Sequence, residues 1–147
     1  MKKIPVLDKD RLYWFKVFLE LGFIAVNQAD EDAALKLFHA AEILNPESAL
    51  PQAGIGYLHL HKLELKQACA VFKKILEKEP DNMMCKAFLG ICTAMQPNHV
   101  VDGEKILDET FKKTKKDPGV ADVHQLTVTA IDFVERFIKK TPGPAGK

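Results

Sequence analysis

The sequence predicts an all-α chain of stacked helix pairs, and three observations carry that expectation. Glycine recurs at a fixed period of 34 residues, as Gly22, Gly56 and Gly90, each behind an aliphatic residue, Leu21, Ile55 and Leu89. Three further columns keep the same period: Ala34 and Ala68, Phe38 and Phe72, Pro46 and Pro80. A fixed period of this length is the mark of a repeat architecture. Third, each proline closes a segment with helical character, where a residue without an N–H cannot continue the helix. A glycine inside a helix costs about 1 kcal/mol relative to alanine. Its recurrence therefore marks places where two helices approach too closely for a side chain. The alanine that follows is expected to be the small partner on the second helix, and the phenylalanine to fill the space between adjacent pairs.

Taken in order, the first repeat covers about residues 9–46, with helices over 9–27 and 31–44. The second covers about 47–80, with helices over 48–62 and 64–78, and Ser48 is the expected N-cap. The third covers about 81–118, with helices over 82–95 and 100–116, and Asp81 as the expected N-cap. Its register departs from the other two. Asp102 stands in the alanine column, and the closing proline, Pro118, comes four residues late. A longer inter-helix turn at Gln96-Pro97-Asn98-His99 and a longer second helix share that excess. A final helix over 120–140 places Val123, Leu126, Ala130, Ile131, Val134 and Phe137 largely on one stripe. It is expected to cover the exposed end of the array, because a terminal repeat needs a cap. Residues 141–147 read as a disordered tail, and residues 1–140 as one domain.

Composition narrows the function classes. The chain has 147 residues, with 21 Lys+Arg against 20 Asp+Glu, so its net charge of +1 supplies no general pull toward nucleic acid or anionic membranes. The one basic run, Lys112, Lys113, Lys115 and Lys116, suits the solvated C-terminus of a helix. Three cysteines, Cys69, Cys85 and Cys92, form no C-x-x-C pair and read as reduced, buried thiols. Lys2, Lys3, Pro5, Asp8 and Asp10 precede any apolar run, which is unlike a secretory leader. The richest apolar stretch, 12–26, holds Lys16 and Glu20 and is too short for a membrane span. A cytoplasmic location is the resulting expectation.

Catalytic motifs are missing. No metalloprotease helix, phosphate-cradling loop or nucleophile elbow is present. Gly54-x-Gly56 lies in a helical pattern. His59 and His61 are two apart and point to different helix faces, and His59 falls in a packing column. The acidic pairs Glu31-Asp32 and Asp108-Glu109 belong to polar faces. The sequence asks for no cofactor and no metal, and it reads as a binding protein, not an enzyme.

The columns Leu21-Gly22, Ala34, Phe38, Ala41, Pro46 and Ile55-Gly56, Ala68, Phe72, Ile75, Pro80 resemble the tetratricopeptide repeat. That resemblance implies a helical-hairpin solenoid of about three repeats with a C-terminal capping helix, in which the first helices of successive pairs line a concave groove. Counted from Phe15, Ala49 and Met83, the lining positions are Lys16, Leu19, Phe23 and Val26; Leu50, Ala53, Tyr57 and Leu60; and Met84, Ala87, Ile91 and Ala94, with Met95 beside them. Eleven of these twelve are apolar or aromatic. Family members that clamp an acidic C-terminal peptide place Lys, Arg and Asn at several of these columns, where this chain has Leu19, Phe23, Ala53 and Tyr57. An apolar channel suits an amphipathic helix, with Tyr57 offering area plus one hydrogen bond and Met84 adapting to irregular surfaces. Two readings stand: a partner helix fills the groove, or the last helix folds back into it. Leu12, Tyr13, Trp14 and Phe15 exceed what one helix face needs, and they read either as a second partner surface or as a packed cap.

Beyond the generic repeat, residues 18–57 and the later segments PDNMMCKAFLGICTAM at 80–95 and VVDGEKILDETF at 100–111 are similar to the small repeat chaperones of bacterial type III secretion. The similarity covers residues 18–111, and the needle-subunit chaperones are the nearest subfamily. It implies that the chain buries the amphipathic C-terminal helix of a secreted needle-type subunit and blocks premature polymerisation in the cytoplasm. It further implies a small helical co-chaperone on the N-terminal apolar surface. A sister class that protects translocator proteins, and a general repeat scaffold with no role in secretion, are the alternatives.

Overall fold

The computed structural model describes residues 8–139. The tail expected at 141–147 lies outside them. Among the described residues are seven α-helices and no strand: α1 Lys9–Asn27, α2 Glu31–Leu44, α3 Leu50–His61, α4 Leu65–Lys78, α5 Met83–Ala94, α6 Val100–Thr114 and α7 Ala121–Phe133. A 3-10 turn, Pro118–Val120, leads into α7, and a π-helical turn, Val134–Lys139, continues it. The helices fall into two compact units, Met1–Leu63 and Glu64–Lys147.

In the first unit α1 packs on α2, and α3 packs on both. Asp8 caps α1 by accepting from the Arg11 amide at 2.7 Å, and Asp30 caps α2 through the Ala33 amide at 3.0 Å. The buried stripe of α1 is Phe15, Leu19, Gly22 and Val26, spaced to one helical face. It meets Ala34, Phe38 and Ala41 of α2, and Leu58 of α3 closes the same core. Phe38 is wholly buried and explains two glycines at once. A Cβ on Gly22 would stand 2.5 Å from its ring, and one on Gly54 would stand 2.4 Å from the same ring. The first group that a side chain at Gly22 would meet is thus the phenylalanine, not the alanine expected from the columns. Three polar ties fasten the periphery. Arg11 Nη2 donates to the Leu44 carbonyl at 3.0 Å, Lys62 Nζ to Glu31 at 2.9 Å, and Gln52 Nε2 to Glu42 at 2.6 Å.

In the second unit α5 packs between α4 and α6, and α7 lies against α6 and α5. Phe72 of α4 stacks on Phe88 of α5 with ring centres 5.5 Å apart. A Cβ on Gly90 would meet Leu107 at 2.7 Å, and one on Gly103 would stand 2.4 Å from the Ala94 backbone. Gly103 and Leu107 therefore do the work of the alanine and phenylalanine columns, each one residue later than the period predicts. The displaced register traces to one extra residue in the turn before α6, with the rest of the excess at the end of α6 and in the segment leading to Pro118. Thr110, Thr114 and Thr127 are buried, and each hydroxyl donates to the carbonyl four residues back at 2.8 Å. No buried side-chain polar atom among the described residues lacks a partner.

The helix ends correct several expectations. The N-cap of α5 is Asn82, whose side chain accepts from the Cys85 amide at 3.1 Å, not Asp81. Helix α3 starts after Ala49, and Ser48 only accepts from the Leu50 amide at 3.2 Å. Phe137, expected on the buried stripe of the last helix, is 62% exposed. The π-helical turn widens the spacing there, so Ile138, not Phe137, follows Val134 onto the core.

Three non-glycine residues have positive φ: Ala29 at 59°, Leu63 at 61° and Asn98 at 66°. Each sits just past the first helix of a predicted pair. The first two are spaced by the repeat period, and the third follows one residue late, as the inserted turn residue requires. The period thus runs through the backbone as well as the side chains.

Candidate interaction face

The groove columns divide into residues buried in the structure and residues that keep accessible surface. In the first unit Leu19, Val26 and Ala53 are buried, Val26 completely. This corrects their assignment as lining: Leu19 and Val26 share the α1 stripe that seats α2, and Ala53 stands beside Gly54, where Phe38 packs. Phe23, Tyr57 and Leu60 are half-buried, and Leu50 is 40% exposed. Lys16, the polar member of the series, is exposed.

Helices α1 and α3 bring the aromatic members together. The Phe23 ring meets Phe38 edge-on at 5.2 Å and lies 5.7 Å from Tyr57. The Tyr57 ring continues to His61 at 6.2 Å, and its hydroxyl donates to Asn27 Oδ1 at 2.9 Å. A row of rings therefore crosses from α1 to α3, anchored below by the core and tied back to α1 by the hydrogen bond of Tyr57 to Asn27. Such a row offers area with little side-chain entropy to lose. His61 and Asn27 were not among the sequence candidates. Both stand at the ends of their helices, one position beyond the columns, and that proximity was the available signal.

In the second unit Met84 and Ile91 are half-buried on α5, whereas Ala87 is wholly buried and is corrected to a packing residue. Ile91 packs against the cluster of Ala94, Leu107, Ala130 and Val134. Within this unit, the C-terminal helix thus covers the part of α5 around Ile91.

At the N-terminus, Tyr13 is 61% exposed and Trp14 51%, with Leu12 exposed beside them, but Phe15 belongs to the core. The four-residue surface expected there shrinks to three. Tyr13 and Trp14 meet edge to face at 5.3 Å, and Trp14 lies 6.0 Å from Phe18. The basic run is exposed at the end of α6, where Lys115 Nζ sits 5.8 Å over the Phe111 ring.

The chemistry-bearing side chains are spread out. His59 is half-buried and His61 exposed, and no cluster of three metal-ligating side chains occurs among the described residues. No helix among the described residues is long and apolar enough to cross a membrane. The three thiols are free and buried, and two of them are brought together: Cys69 and Cys92 place their sulfurs 2.9 Å apart. Comparison with known proteins adds no relative: no protein-family model matches the chain, and neither does any curated protein or solved structure.

Proposed function

We propose that this chain is a tetratricopeptide-type chaperone of bacterial type III secretion, which holds the amphipathic helix of a needle-type subunit in the cytoplasm and keeps it from polymerising. The observation that carries this reading is the half-buried apolar row on α1 and α3: Phe23, Tyr57 and Leu60, with Leu50 beside them. An amphipathic helix presents apolar anchors at three- and four-residue spacing, and these four side chains supply apolar area without a charged clamp. Tyr57 adds a polar edge whose hydroxyl orientation is set by Asn27. The exposed Tyr13 and Trp14 are the natural seat of a small helical co-chaperone in the same reading.

The test is co-expression with a short, helical, self-assembling secretion subunit encoded by a neighbouring reading frame. The parent chain should keep that subunit soluble and co-purify with it. Leu50→Asp changes an exposed position and should abolish co-purification while leaving helical content intact. Tyr57→Asp should do the same. Retention of the subunit by both variants would overturn the proposal.

A further inference from the structure

The sulfur atoms of Cys69 on α4 and Cys92 on α5 are 2.9 Å apart. That is only about 0.9 Å longer than a covalent S–S bond of roughly 2.05 Å. Cys69 is also approached by Gln96 Nε2, which donates to its sulfur at 3.2 Å, and by Thr93 Oγ1 at 3.7 Å. Cys92 is wholly enclosed and donates to the Leu89 carbonyl at 3.5 Å, while Cys69 keeps 6% of its surface.

We propose that Cys69 and Cys92 are an oxidation site, in which a hydroperoxide converts the thiol pair to an intrachain disulfide joining α4 to α5. The surroundings divide the two roles. The close contact with Cys92 acts against burial to lower the Cys69 thiol from its ordinary value, with Thr93, the Lys73 charge and Gln96 assisting. Cys92 is pushed up by that same contact and by burial. Cys69 is the more accessible sulfur and the one shifted toward its thiolate form, which makes it the attacking group. The third thiol, Cys85, is wholly buried and pushed up to about 12 by burial, with Glu79 adding to it, so it stays inert.

The chemistry balances without a further reagent. The Cys69 thiolate attacks the outer oxygen of the hydroperoxide, the O–O bond breaks, and the alkoxide leaves as an alcohol after taking a proton. Cys69 then carries a sulfenic acid. The Cys92 sulfur attacks that sulfur and expels hydroxide, which leaves as water with the Cys92 proton. The two thiols give up two electrons, and the hydroperoxide accepts them. The bond closes a loop from residue 69 to residue 92, which restricts the unfolded chain. The oxidised protein should therefore unfold at a higher temperature, and a thiol reductant should reverse the rise.

The test treats the full chain with hydrogen peroxide. Intact mass without reductant should fall by two hydrogen atoms, titratable thiols should drop from three to one, and digestion should release a Cys69–Cys92 linked peptide. Cys85→Ser should still form the link. Cys92→Ser should instead leave a sulfenic acid on Cys69 that dimedone labels, with circular dichroism confirming that both variants are folded. Three surviving thiols, a link through Cys85, or a disulfide between chains would each overturn the proposal.

Discussion

Replacing Gly22 by alanine sets two effects of comparable size against each other, and the structure decides the sign. Gly22 lies well inside α1, so alanine gains about 1 kcal/mol of helix propensity. Its Cβ, however, would stand 2.5 Å from Cε1, 2.8 Å from Cδ1 and 3.0 Å from Cζ of Phe38. The ring has little room to retreat toward α3, because it is seated so closely on Gly54 that a Cβ added there would stand 2.4 Å from it. Overpacking of this kind costs about 1–3 kcal/mol, so Gly22→Ala should be net destabilising by about 1 kcal/mol. Phe38→Leu removes Cε1, Cε2 and Cζ, leaving only the flexible Cδ methyls near the new Cβ, so in that background the clash is relieved in large part while the propensity gain remains. Gly22→Ala should then stabilise by up to about 1 kcal/mol, a coupling of about 2 kcal/mol between the two sites. Urea unfolding of the four proteins, followed by far-UV circular dichroism, measures it. Stabilisation of the parent by Gly22→Ala, or the same cost in both backgrounds, refutes the reasoning.

Other outcomes follow from single features. Leu63 has a φ of 61° and is 65% exposed, so Leu63→Gly should relieve left-handed strain and raise stability by about 0.5–1 kcal/mol, read as an increase in thermal midpoint. Asn82→Ala removes the side chain that caps α5 and should cost about 1 kcal/mol in the same assay. Burial, reinforced by Glu79, raises the Cys85 thiol from 9.0 to about 12. Its neutral form therefore favours the folded state fully below pH 9, and the contribution is lost as pH rises from 9 toward 12. In Cys85→Ala, stability measured by urea titration should decline less steeply over that window, and an unchanged slope would remove the thiol as the cause.

The helices were legible because glycine, phenylalanine and proline each mark a backbone or packing necessity, and those necessities repeat. Observed ends fall within about two residues of the expected ones, apart from the final helix and its π-helical turn. The left-handed turn was not legible, since Ala29, Leu63 and Asn98 share a conformation and no chemistry. Nor was the Gly54 seat, because Gly56 occupies the periodic column while Gly54 meets the ring. Among the site residues, the columns found the aromatic pair Phe23 and Tyr57 but also collected Leu19, Val26, Ala53 and Ala87, which the structure buries. A periodic column names a helix face only to within about one residue's rotation, and neighbouring faces of α1 serve the core and the surface. The sequence placed Cys69 and Cys92 as buried thiols but not as a pair, because they lie on different helices and their approach depends on how α4 and α5 pack.

The seat of Phe38 between Gly22 and Gly54 has a consequence for how the chain acquires structure during synthesis. Once α1 and α2 have emerged, the ring has one of its two walls, and the hydrophobic cluster lacks Leu58. Arrival of α3 supplies both, so the core around Phe38 is expected to close only once α3 is added, not at Pro46, where the first sequence repeat closes. Ribosome-bound chains long enough to carry α3 clear of the ribosome should resist protease, and those exposing only α1 and α2 should not.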